Sequence, residues 1–266
     1  MADTSDAKIV EELPAATPAA APRPEKILVV DIGGSKLKII AAGQSEPRKA
    51  ASGKNLTPGQ MVEMVKALAE GWEYDALAIG YPGLVGSHGP RSEPGNLGPG
   101  WVGFNFAAAF ERPVRVINDA AMQALGSYEG GRMLFLGLGT GLGAALIAGN
   151  AIIPLELGQL PFRDEKNLGS ALGKKGLERL GKEAWIAAVK DVVAALSAAF
   201  LADDVVLGGG NAKKLTGQLP GIRIGHNLTA FRGGLRLWNI EHVPTLSADS
   251  EAPAEVPRAP SDWRVI

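Results

Sequence analysis

The apolar positions of the chain fall into short runs closed by glycine and longer stretches with helical spacing. Residues 27–33 (ILVVDIG) end in a glycine pair and lead at once into 37–43 (LKIIAAG). Two β-rich runs about a tight glycine turn predict a hairpin. Over 58–71, Met61, Val62, Val65 and Leu68 recur at helical spacing between an early proline and a closing glycine, so a helix is expected. Residues 76–83 (ALAIGYPG) read as a strand entering a Pro-Gly loop, and a Gly/Pro-rich segment runs on to Gly103. A short helix, the strand 114–118 (VRVIN) and a helix from Asp119 to about Tyr128 come next. Residues 132–150 read as two strands around a glycine-dense turn. Over 182–201, Trp185, Val189, Val192, Leu196 and Phe200 share one helical face, the mark of a buried helix. Residues 204–215 predict strand, glycine turn and helix, and a strand with an amphipathic helix over 227–238 closes the pattern.

A hairpin, a helix and strands thus precede residue 118, and a similar set follows. No sequence repeat accompanies this, but the order of elements predicts a duplicated α/β unit with a cleft between its halves, divided at 26–117 and 118–240. Residues 1–25 are Ala/Pro-rich and have no periodic apolar face, so a disordered arm is expected, and 241–266 have the same character.

Composition narrows the classes. With 266 residues and 46% hydrophobic positions there is enough chain for one large domain or two small ones. Lys+Arg 27 against Asp+Glu 28 leaves a net charge of −1, so generic binding to nucleic acid or an anionic membrane lacks its main driving force. No cysteine is present, which removes disulfides, thiolate zinc sites and cysteine nucleophiles together, and the histidines at 88, 226 and 242 show no ligand spacing. The first residues lack a basic and an apolar signal region, and no apolar run approaches the ~20 residues of a membrane span. A cytoplasmic α/β protein without membrane or nucleic-acid partners is expected. The 35 glycines need a reason, because glycine costs backbone entropy unless a turn or a ligand requires it.

Three glycine clusters each follow an apolar strand: Asp31-Ile32-Gly33-Gly34-Ser35-Lys36, the run from Gly137 to Gly143, and Gly208-Gly209-Gly210-Asn211. A polyphosphate needs backbone N–H groups close to its oxygens, where a Cβ would hold the chain away. A Ser or Thr hydroxyl adds a donor, and an Asp at a strand end can orient hydrated Mg²⁺. Each cluster alone also fits a plain hairpin turn. The cluster at 139–143 is neither a Rossmann fingerprint nor a Walker A loop. Asn118-Asp119, at a strand end before a helix, reads either as a helix cap or as a carboxylate able to take a proton from an attacking hydroxyl.

In their order and spacing, DIGGSK, GYPGLV, PGN at 94–96, NDA at 118–120, LGLGTGLGAAL and VVLGGG resemble the ROK-type sugar kinases of the actin-like ATPase superfamily. Trp101, GLERLGKEAWIAAV at 176–189 and HNLTAFRGG near the end are similar to the polyphosphate glucokinase branch. The resemblance covers nearly all of 26–240. It implies a two-domain α/β fold of the ribonuclease H-like kind with sugar and donor meeting in the interdomain cleft. It implies a hexose kinase, first of all a glucokinase, using ATP or inorganic polyphosphate with Mg²⁺. Asp119 is then the general base. Asn96, Asn118, Glu156 and Gln159 hold the sugar. Gly33, Gly34, Ser35, Lys36, Gly139, Thr140 and Gly141 line the transferred phosphate, with Asp31 near its metal through water. Gly208, Gly209 and Gly210 face the far end of the donor. A homodimer is implied as well.

The chain departs from that pattern in two places. Gln159 stands where the family usually has a histidine that works with a cysteine cluster on zinc, so no zinc site is expected, although glutamine can still bond a sugar hydroxyl. Ser127 stands where a Glu is usual, and Glu129 two residues on is expected to point elsewhere. Lys174, Lys175, Lys213, Lys214, Arg223, Arg232 and Arg236 could steer a polyanion or simply solvate helix faces. Two other readings of the whole are a non-catalytic sugar-binding regulator on the same fold and a structural actin-like filament protein, against which Asn96, Asn118 and Glu156 speak.

Overall fold

The computed structural model describes residues 24–226, 228–240, 243 and 245–248. Most of the arm and tail expected at 1–25 and 241–266, and His242, lie outside the described residues. In chain order the elements are β1 (Ile27–Ile32), β2 (Lys36–Ala41), β3 (Arg48–Ala51), α1 (Pro58–Leu68), β4 (Ala76–Tyr81), a small ribbon of β5 (Val85–Gly86) and β6 (Gly89–Pro90), α2 (Phe106–Phe110), β7 (Val114–Asn118) and α3 (Asp119–Ser127). They continue with β8 (Met133–Leu138), β9 (Leu142–Ala148), β10 (Ala151–Leu155), α4 (Leu168–Leu172), α5 (Lys174–Leu180), α6 (Lys182–Ala199), β11 (Asp204–Gly208), β12 (Arg223–Ile224) and α7 (Thr229–Leu237).

Apart from the β5–β6 ribbon, the strands form two five-stranded sheets, ordered β3-β2-β1-β4-β7 and β10-β9-β8-β11-β12. In the first, β1 pairs antiparallel with β2 and parallel with β4; in the second, β8 pairs antiparallel with β9 and parallel with β11. The two sheets therefore share one topology, the duplication expected from the order of elements. The third strand of each meander was not legible in the apolar pattern. Yet Gly149 and Asn150, both at positive φ, form a two-residue turn between the paired Ala148 and Ala151, and that dipeptide is a hairpin signal.

Three apolar clusters define the layers. Leu28, Val30 and Ile32 face α1 and α2 on the outside of the first sheet. Val29, Ala76 and Ala78 on its inner face, and Phe135, Ala145 and Val206 of the second sheet, enclose α3 and α7. Leu134, Leu136 and Leu207 face α4 and α6 on the far outside. Strands buried on both faces read as continuous apolar runs, which is why β1, β4 and β8 were visible in the sequence.

The two central helices touch at backbone distance. A Cβ at Gly126 would run into the carbonyl of Thr229, and one at Gly233 into that of Met122. The last carbonyls of α3 lack intrahelical donors. Arg236 donates to the Leu125 and Tyr128 carbonyls, Arg232 to that of Gly126 and Arg223 to that of Ser127. Arg223 also pairs with Asp204 and Glu129. These three arginines fasten α3 in place, which corrects the option that they steer a polyanion. Beyond α7 the chain returns to the first sheet, where Leu246 exchanges backbone hydrogen bonds of 2.8 and 3.2 Å with Val114. Beyond residue 240, only residues 243 and 245–248 are described, and this bridge is among them.

Candidate active site

The carboxyl ends of the parallel strands carry Asp31, Asn118 and the second and third glycine clusters, the usual place for ligands in α/β sheets. Register explains how they meet. Asp31 of β1 stands opposite Gly80 of β4, and Tyr81 opposite Asn118 of β7. A Cβ on Gly80 would run into the Met122 side chain, so the bare Gly80 backbone lets α3 pack through Met122 against β4, with the Asp119 Cα 3.5 Å from that same point. Alternation puts Asp31 on the face of Val29, the inner face of the sheet.

Asn118 caps α3: its Oδ1 accepts from the Ala121 N–H at 3.1 Å, and its Nδ2 donates to the Gly83 carbonyl at 3.1 Å. The cap reading holds, and one amide N–H is left over for a ligand. Asp119 opens the helix, with Oδ1 accepting from the Ala120 N–H at 2.7 Å. The residue is half-buried. Burial, then the Asp31 carboxylate and to a smaller degree Glu156, push it from an ordinary 3.8 up to about 7, against the favourable Ala120 N–H. Asp31 and Glu156, from two other stretches of chain, therefore both act on Asp119.

Asn96 approaches from the long Gly/Pro segment. Its side chain fills the place where a Cβ of Gly34 would stand, and its buried Oδ1 accepts no hydrogen bond among the described residues. Such an orphaned acceptor is costly unless a ligand completes it. Nearby, Glu93 accepts from the Trp101 and Val102 amides at 3.1 Å and ties down the loop. Glu156 precedes the 3₁₀ turn Leu157–Gln159 and Gln159 ends it; both are exposed, with Gln159 accepting from Asn167 Nδ2 at 3.4 Å. Ser127 is buried and donates to the Gln123 carbonyl, while Glu129 pairs with Arg223, away from the site as expected.

In the first glycine turn the Gly33 N–H bonds the Lys36 carbonyl at 3.0 Å, and Ser35 and Lys36 are exposed. The second turn follows β8, where Gly137 pairs with Gly208 of β11, so the second and third clusters lie side by side. The Gly139 N–H is shared between the Gly137 and Gly141 carbonyls, while Thr140 is exposed. Any amide offered to a ligand must come from other residues of the two turns. Apart from each glycine and its two chain neighbours, no heavy atom among the described residues lies within 4 Å of a Cβ built on Gly139, Gly141 or Gly210, so these backbones are open to a close ligand. The strands also bring the second turn to Asp119: a Cβ on Gly143 would stand 2.9 Å from that of Ala120.

Sequence reasoning missed two residues, Gly80 and Lys38. Lys38, opposite Asp31 on β2, donates to Asp31 Oδ2 at 2.9 Å. A lysine inside the otherwise apolar run LKIIA was the available signal.

No protein-family model matches the chain. The polyphosphate glucokinase of Mycobacterium leprae is 26% identical over 212 residues, a match spanning 72% of this chain and 65% of that protein. That of Mycobacterium tuberculosis is 27% identical over 214 residues, covering 72% and 80%. Among solved structures, an inorganic polyphosphate/ATP-glucomannokinase from Arthrobacter superposes with a TM-score of 0.70 at 22% identity, covering 82% of this chain and 99% of that one. A ROK family glucokinase from Streptomyces griseus, solved with glucose and AMPPNP, gives 0.62 at 17% identity, covering 78% and 97%. The chain has the two-sheet actin-like fold of the ROK sugar kinases and resembles, in sequence, the polyphosphate glucokinase branch.

Proposed function

We propose that the protein is a hexose kinase, with glucose as the first acceptor to test, that moves a phosphoryl group from ATP or inorganic polyphosphate to the sugar primary hydroxyl. One observation carries this reading: a carboxyl raised to about 7, Asp119, stands beside Asp31 and next to a glycine turn with open backbone. A base with that affinity for protons is poised near neutral pH, where general base catalysis contributes about 10²–10⁴-fold.

Asn96 accepts a hydrogen bond from one sugar hydroxyl through its orphaned Oδ1. Asn118, Glu156 and Gln159 bind others. Asp119 orients the primary hydroxyl and takes its proton as the new O–P bond forms. The bridging P–O bond breaks, and the shortened donor leaves with the electron pair. Gly33, Gly34, Ser35 and Lys36 on one side, and Gly139, Thr140 and Gly141 on the other, line the transferred group, while Gly208, Gly209 and Gly210 take the distal donor. Phosphoryl transfer asks mainly for positioning and charge stabilisation, which such a frame supplies.

The donor set fits Mg²⁺ held through water. Among the described residues no cluster of three metal-binding side chains exists, but Mg²⁺ needs only one or two carboxylates together with substrate phosphates and its own waters. Asp31 would hold it, and when bound it would neutralise charge on the donor phosphates.

The test is a matrix of ATP or polyphosphate against glucose, mannose, fructose and N-acetylglucosamine, followed by sugar phosphate formation. Product from glucose with at least one donor is expected. Sugar binding without product from any pair would replace the kinase by a sugar-binding regulator.

A further inference from the structure

We propose that Lys38 is a positioning residue: its ammonium covers the Asp31 carboxylate in the free enzyme, so that the metal ion enters together with the phosphoryl donor rather than before it. This rests on the kinase reading above, but its test does not depend on turnover.

Asp31 and Lys38 are directly opposed across the antiparallel β1–β2 pair, which places both side chains on the inner face of the first sheet. The Nζ donates to Oδ2 at 2.9 Å. The two partners are unequally enclosed. The Asp31 side chain is 9% exposed, whereas that of Lys38 is 36% exposed. Asp31 is thus the fixed member, locked into the sheet, and Lys38 is a flexible arm reaching in from the wet side. A carboxylate so enclosed is costly without a counter-charge. The requirement is sharper here because Asp119 and Glu156 stand in the same site, and the proposed donor is itself a polyanion.

Those facts decide how a cation can reach Asp31. A bare divalent ion with its water shell would have to displace an ammonium already bonded to Oδ2, for the gain of one carboxylate contact made through water. Donor phosphates supply further oxygen ligands and give the displaced ammonium an anionic partner of its own. Lysine suits this task, since its compact charge sits on a mobile four-carbon stem.

The experiment measures Mn²⁺ binding to the full-length protein by electron paramagnetic resonance, without sugar or turnover. Wild type should bind bare Mn²⁺ weakly. Lys38→Gln, which keeps a hydrogen-bond donor and removes the charge, should bind it at least tenfold more tightly. Lys38→Arg should stay near wild type, and Lys38→Gln combined with Asp31→Asn should lose the gain. With inorganic tripolyphosphate present, wild type and Lys38→Gln should agree within threefold. Equal affinities for bare Mn²⁺, or a gain that survives Asp31→Asn, would overturn the assignment. So would tight binding of bare Mn²⁺ by wild type itself, a result that needs no variant to fold. A failure of the kinase reading would appear separately, as no sugar phosphate from wild type with any donor.

Discussion

The turn after β1 and the turn after β8 hold the same station in two sheets of the same topology, yet they are held in different ways. Side chains frame the first. Ser52 Oγ donates to the Gly33 carbonyl at 2.7 Å, the Asn96 side chain lies over Gly34, and the Lys38–Asp31 pair sits at the base. Backbone groups frame the second. Its carbonyls at 138 and 139 accept from the Asn211 and Lys174 amides at 3.0 Å, and the Asn211 Nδ2 joins them at 3.2 Å. A frame made of side chains can discriminate among ligands, because each group has its own shape and charge. A backbone frame offers the same N–H and C=O groups to any phosphate. On the proposed function, the half framed by side chains would hold the acceptor, the metal and one side of the transferred phosphate, and the half framed mainly by backbone would hold the other side and the rest of the donor.

The largest expected effect comes from the group at the junction of the halves. Asp119→Asn should lower turnover at least ~100-fold while glucose binding, measured by calorimetry, stays within threefold. The same substitution should stabilise the fold at alkaline pH. The folded protein keeps the Asp119 proton up to about 7, whereas the unfolded chain releases it near 3.8. Stability therefore declines as pH rises through that window and stays low above it, so melting curves should show the Asn variant ahead by a few kcal/mol at pH 8 and level with wild type near pH 4.

Next in size are substitutions that separate the two kinds of turn. In Gly34→Ala the new methyl meets the Asn96 amide, so sugar KM should rise about tenfold with loss of roughly 1–3 kcal/mol of stability. In Gly141→Ala the methyl points into open space, so the melting temperature should hold while donor KM rises several-fold and sugar KM does not. Equal disturbance of both KM values by either variant would erase the division of labour. Gly173→Ala attacks the backbone frame from behind, where a Cβ would press on the Thr140 carbonyl. It should destabilise the protein by about 1–3 kcal/mol and weaken the donor more than the sugar.

A titration tests the same carboxyl without any substitution. With Asp119 as the proposed base, its ionised form is the active one, so kcat/KM for the sugar should fall with unit slope below about pH 7 and level off above it. A flat profile from pH 5 to 8 would remove Asp119 from the base role.

The strands and helices whose apolar residues repeat over several positions are written in the chain itself, because burial on one or both faces leaves a period that can be read locally. So are the glycine bends that follow strands, and the order in which the candidate residues occur. The remaining features arise only when distant segments meet. Lys38 becomes the partner of Asp31 through strand register, and Asn96 becomes an unsatisfied acceptor where a distant loop folds over Gly34. Arg223, Arg232 and Arg236 look like solvated charges along the chain and prove to be the clasp on the end of α3. The high proton affinity of Asp119 is likewise a property of packing. Local pattern records what each residue buries, whereas charge acts through space on whatever the fold brings near.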